Sequence, residues 1–265
     1  MGSQARSVVF RLYPLRFSFI AREPIYFPPG KSSNILRGAF GLIIRRIACV
    51  PQCTDAHECE WRASCPYARI FEPSATNLDA HSGPQTQSAL RPGPSGLAAW
   101  PRPFVFRASH LDRCIVSVGE SFHFDLNLFD IHSSAVAYLV LAFAQLAREG
   151  LGARRSRVEL AGVWRLNAQG DPDGAIFDGK SLSIEQSAPP LELELAPSLD
   201  PVSRLRIQFL TPTELKSGQQ LAGRPEFSIL AARVRDRIST LLHLYGDGPL
   251  TITSGLSASA PRWCV

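Results

Sequence analysis

The chain has 265 residues, 45% hydrophobic and 19% charged, an ordinary globular composition that excludes global disorder. Its length suits one large domain or two small ones. The net charge of +5 is unevenly spread: residues 1–50 carry seven arginines and Lys31 against Glu23 alone, and the remainder is slightly acidic.

Residues 8–20 are rich in Val, Phe, Leu and Ile with interspersed arginine, which predicts a strand. Tyr26 to Gly30 reads as a loop. Ser32 or Ser33 is expected to cap a helix over 34–49, whose stripe is Ile35, Leu36, Ala39, Phe40, Leu42, Ile43 and Ile47. Gly38 and Gly41 weaken that helix and admit a close neighbour. A cysteine-bearing insertion covers 49–72, and proline-rich loop runs on to residue 103. Strands are predicted at 103–107 and 120–129. In the second, Phe122, Phe124, Leu126 and Leu128 share one face, and Ser121, His123, Asp125 and Asn127 the other. Ser133 or Ser134 caps a helix to about Glu149, stopped by Gly150 and Gly152, and a strand covers 157–166. This β-α-β-β-α-β order is the ferredoxin-like arrangement. A connector over 167–202 holds short strands at 181–185 and 191–195. A strand at 204–210, a loop at 211–225, a helix at 226–245 and a strand at 249–253 then begin a second unit.

No secretory or membrane segment is expected. Arg6, Arg11 and Arg16 break the first twenty residues. The longest apolar run, 135–144, is about half of the roughly 20 residues a spanning helix needs. A cytoplasmic location follows as an expectation, with the six cysteines as thiols or metal ligands rather than disulfides. Only Lys31, Lys180 and Lys216 are lysines. Arginine forks grip phosphate oxygens in pairs and stack on bases, although a GC-rich genome would produce the same bias. Arg37, Arg45 and Arg46 on the first helix, with Arg16, Arg22 and Lys31 before it, make either an RNA-backbone track or a solvated face. Cys49, Cys53, Cys59 and Cys65 could hold one zinc ion tetrahedrally, with His57 as a possible replacement ligand, or stand as free thiols; no CxxC knuckle is present. Lys216, in the loop after a strand, could lay a cation along a phosphate.

Six stretches in order carry a resemblance. They are Asn34-Ile35-Leu36-Arg37-Gly38-Ala39-Phe40-Gly41; Cys65-Pro66-Tyr67-Ala68-Arg69-Ile70-Phe71-Glu72-Pro73; Pro101-Arg102-Pro103-Phe104-Val105; Gly119-Glu120-Ser121-Phe122; Leu210-Thr211-Pro212-Thr213-Glu214-Leu215-Lys216; and the helix 227–245 with Gly246. Over residues 8–251 the chain resembles the CRISPR precursor-RNA processing endoribonucleases of the RAMP superfamily, the Cas-six family. The resemblance implies an α+β fold of tandem ferredoxin-like, RRM-like domains: residues 1–195 with the insertion, and 196–265 as a partial second domain. It implies binding of CRISPR repeat RNA and one cut per repeat. A 2′-hydroxyl attacks the adjacent phosphate without a metal in the reaction, leaving 2′,3′-cyclic phosphate and 5′-hydroxyl ends. Tyr26 and Arg37 are the implied catalytic residues; Lys31, Arg37, Arg45, Arg46 and Lys216 are the implied RNA contacts.

The family's usual base is a histidine of the first helix, and this chain has none there. That favours the alternative of a non-catalytic RNA-binding RAMP subunit that assembles with other CRISPR effector subunits. A third reading is an unrelated protein with a cysteine metal site. The family also carries a glycine-rich loop near its C-terminus, which residues 254–265 do not resemble. The expectation is a reading frame truncated or shifted near Ile252, and a remnant of doubtful activity.

Overall fold

The computed structural model describes residues 8–56, 58–73, 100–129, 135–180, 189–195, 202–218, 220–246, 248 and 250. The chain divides into two compact units, residues 1–214 and 215–265. The fold is mixed α+β with antiparallel pairing throughout the first unit's sheet.

In the first unit, β1 (Val8–Ala21) is the central strand. It is followed by the short β2 (Ile25–Tyr26), α1 (Ser32–Ala48) and α2 (Pro66–Phe71). Then come β3 (Phe104–Arg107), β4 (Ile115–Val116) and β5 (Ser121–Leu128). The unit continues with α3 (Ala135–Glu149), β6 (Val158–Leu166), β7 (Pro172–Phe177) and β8 (Leu191–Leu195). The sheet order is β3-β5-β1-β6-β7. The rear of β1, from Tyr13, lies between β5 and β6, while Val8–Leu12 pairs with β8. β2 and β4 form a separate two-residue ladder.

Strand alternation decides which side of the sheet is covered. Leu15, Phe17 and Phe19 of β1 and Phe122, Phe124, Leu126 and Leu128 of β5 are buried on one side. On α1, Leu36, Phe40, Ile43 and Ile44 recur at helical spacing and are buried. Phe40 stacks on Phe143 of α3 at 4.9 Å between ring centroids, and Phe143 meets Phe17 at 4.5 Å. Both helices therefore pack on the phenylalanine side of the sheet.

The start of α1 is not capped as expected. Ser32 is its first residue, and its backbone N–H and hydroxyl both donate to the Asp112 carboxylate, at 3.1 and 2.6 Å. The N–H groups of Gly30 and Lys31 reach the same carboxylate. Desolvation opposes the charge, but these donors prevail and hold Asp112 below the usual carboxylate range. The helix is thus capped by a residue distant in sequence. At the other helix, Gly150 ends α3 at φ +96°, where a Cβ would sit 2.0 Å from the Arg155 carbonyl oxygen, so only glycine fits.

The two glycines of α1 differ. A Cβ on Gly41 would stand 2.8 Å from a Phe71 ring carbon, so the close neighbour there is a side chain. A Cβ on Gly38 meets nothing within 4 Å. Gly38→Ala should stabilise the protein by about 0.5–1 kcal/mol, and Gly41→Ala should destabilise it. Urea midpoints of the two variants check this; equal shifts would remove the Phe71 contact from the account.

Two elements differ from expectation. β7 falls inside the predicted connector and forms a hairpin with β6, closed by the Asn167 side chain, which accepts the N–H groups of Gln169 and Asp171. Residues 204–210, predicted as a strand, are unpaired and largely exposed, because no partner strand lies beside them among the described residues. In the second unit, β9 (Lys216–Ser217) and β10 (Gln220–Leu221) form a small hairpin before α4 (Phe227–Tyr245). The expected strand at 181–185, the caps Ser133 and Ser134, His57 and the tail 254–265 lie outside the described residues, and of the expected strand at 249–253 only Leu250 is described. Among the described residues, no helix is long and apolar enough to cross a membrane.

Candidate nucleic-acid interface

The sheet side away from α1 and α3 carries the polar half of each strand. Register places Arg107 of β3 opposite Asp125 of β5, Asp125 opposite Arg16 of β1, and Arg16 opposite Trp164 of β6. Four strands thus contribute one residue each to a single row. Arg16 holds Asp125 in a fork, Nε donating to Oδ1 at 2.8 Å and Nη2 to Oδ2 at 3.0 Å. Asp125 is 7% exposed although it lies on the polar face. The paired guanidinium satisfies its charge there.

The next row is His123, Ser18 and Gly162. Gly162 has a structural reason: a Cβ there would fall 2.3 Å from the Trp164 ring, so the indole lies against the bare backbone. His110 stacks on His123 with centroids 4.7 Å apart, and its Nε2 stands 2.9 Å from the His123 carbonyl oxygen. Desolvation, followed by the nearby charges of Arg16 and His110, lowers the His123 pKa below its usual value, so this ring is neutral at neutral pH. Asn127, on the same face, has a buried Oδ1 without a hydrogen-bond partner among the described residues. The face therefore offers the Arg107 guanidinium, an indole and two imidazoles, with Arg16 held by Asp125 and the Asn127 Oδ1 buried.

The residues expected from the sequence fall elsewhere. Arg37 is exposed on α1, which packs on the opposite side of the sheet. Arg45 donates to the Thr54 carbonyl at 2.8 Å and lies 5.9 Å from the Tyr67 ring centroid. Arg46 is ion-paired to Glu149 of α3. Lys31 is exposed at the start of α1. Tyr26, 52% exposed, sits in β2 opposite Ile115. Lys216 opens β9 in the second unit, in a hairpin rather than the expected loop. Arg16, placed by the sequence in the candidate RNA-backbone track, does lie on this face, whereas the sequence does not single out Arg107, Trp164 or the histidine pair. The alternation in 120–129 exposes the polar face, but the cross-strand register that forms the rows is not encoded in that pattern.

A second cluster lies in the insertion. Cys49 terminates α1 and Cys65 precedes α2. The Cys49 side chain interacts with those of Cys53 and Cys65, and Cys53 with that of Cys59. Burial first, and then the neighbouring thiols, push Cys49 up to about 12. Among the described residues, no three Cys, His, Asp or Glu side chains form a ready-made metal site.

Residues 10–189 match the model of the AF_1859_N family, described as an N-terminal domain, and the chain belongs to that family. No curated protein matches it.

Proposed function

We propose that this member of the AF_1859_N family binds a single RNA strand across the row Arg107–Asp125–Arg16–Trp164, and that the RNA is a CRISPR repeat. That row carries the reading. Sequence-tolerant RNA binding needs an aromatic face for a base and guanidinium groups for phosphates, in register at the spacing of strands. The order β6-β1-β5-β3, with α1 and α3 on one side, is the order of a ferredoxin-like unit. It supports the first half of the tandem arrangement implied by the Cas-six resemblance.

The proposed reaction is metal-independent cleavage. The 2′-hydroxyl loses its proton and attacks the adjacent phosphorus. The 5′-oxygen leaves with a proton, and a 2′,3′-cyclic phosphate remains. In this reading the His110–His123 pair supplies the proton-transfer groups that α1 lacks, since a neutral imidazole can take up a proton and pass it on. Arg107 lends positive charge to the dianionic transition state, while Arg16 is held by Asp125 and fixes the row. In this reading Tyr26 and Arg37 are not the catalytic groups. The alternative is a non-catalytic RNA-binding subunit, favoured by the Nε2 contact that ties His110 to a backbone carbonyl.

The test is anisotropy and product mapping with a labelled repeat RNA in EDTA. Trp164→Ala should weaken binding by about 5- to 150-fold, the range for losing one stacked base. Arg107→Ala should reduce the salt slope by about 1. Binding without cutting selects the subunit reading. No salt-dependent affinity for RNA ends both.

A further inference from the structure

The insertion holds itself together with little core. Between Cys49 and Cys65, Ala56 is the buried residue among those described. Polar ties do most of the organising. Arg62 donates to the Ala56 carbonyl at 2.8 Å and the Glu72 carbonyl at 3.0 Å, while Arg45 donates to Thr54. Tight turns join Cys53 to Val50, Arg62 to Cys59 and Cys65 to Arg62. These turns bring together four thiols that span 17 residues of sequence. A segment this size with so small a core is ordinarily stapled by a metal or by disulfides.

We propose that Cys49, Cys53, Cys59 and Cys65 bind one zinc ion as a structural tetrathiolate. The donor set suits zinc, which prefers four soft ligands in a tetrahedron. The chain of thiol neighbours, Cys65 to Cys49 to Cys53 to Cys59, links all four sulfurs. They are not closed on one point, so binding must draw them in around the ion. Four S–H bonds break, four Zn–S bonds form, and four protons leave for solvent. The centre carries a net charge of −2, and the Arg45 and Arg62 guanidinium groups stand in the same loop to offset it. Its role follows from its ends: Cys49 closes α1 and Cys65 opens α2, so the ion fixes the angle between the two helices. The site needs no RNA and stands whether or not the sheet face binds any.

The full chain, purified in reductant and dialysed against Zn(II), should hold about one zinc by elemental analysis. Cobalt substitution should give the intense charge-transfer absorption of several thiolate ligands. The double variant Cys53→Ser, Cys59→Ser should retain about a tenth of the metal or less, and Cys114→Ser should retain all of it. If the double variant fails to fold, a chelator titration of the unaltered chain replaces it: metal removal should expose the 49–65 loop to trypsin at Arg62. A chain that takes up no zinc, a double variant that keeps it, or iron with labile sulfide in its place would overturn the assignment.

Discussion

Phe40→Ala should cost about 3–5 kcal/mol in urea denaturation, a large part of the stability of a typical domain. Phe40 lies at the junction of α1 with everything it packs on. Its ring centroid is 5.2 Å from Phe71, 5.9 Å from Phe104, 6.1 Å from Phe106 and 4.9 Å from Phe143. These rings come from α2, β3 and α3, so one truncation opens a cavity where three elements meet. The edge-on and stacked geometries add to the area term. Phe40→Leu should lose much less, because it keeps most of the volume. A loss below about 1 kcal/mol for the alanine variant would mean that α1 is not seated on the sheet.

Arg16→Ala should cost about 3 kcal/mol, the low end for breaking a buried ion pair, because 22% of the Arg16 side chain remains exposed. The loss comes mainly from leaving the Asp125 carboxylate desolvated and unpaired. The double variant Arg16→Met, Asp125→Leu should therefore recover most of the stability while losing RNA affinity. A thermodynamic cycle separates the two effects: stability returns when both charges go, whereas phosphate binding does not. If the double variant is as unstable as Arg16→Ala, the pair is not what holds this face together.

The strands at 8–21, 104–107, 121–128 and 158–166 were legible because Leu15, Phe17 and Phe19, or Phe122, Phe124 and Leu126, alternate cleanly with polar residues. The stripe of α1 was legible for the same reason at a different period. What escaped was whatever depends on partners distant in sequence. Asp112 caps α1 through a fold contact that no local spacing announces, and the expectation of a serine cap mistook a donor for an acceptor. Residues 204–210 have strand composition, yet a strand exists only where another lies beside it, and none does among the described residues. The arginine excess was visible, but its destination was not. Arg45 and Arg46 serve the insertion and α3, while Arg16, flanked by Leu15 and Phe17, reaches the sheet face. The four cysteines were legible as a cluster from spacing alone, and their mutual approach required the turns between them.

The placement of β1 bears on how the chain is made. It emerges from the ribosome long before β5, β6 or β8, and until they arrive its row of phenylalanines has no sheet to join. Arg11 and Arg16 punctuate that row and Arg22 follows it directly, and charge within or beside an apolar strand is what keeps a nascent segment from aggregating. Each later meets an acid on a strand synthesised afterwards: Glu192 on β8, Asp125 on β5 and Glu159 on β6. The same three cations thus guard the unfinished polypeptide and are neutralised, one by one, as its partners dock.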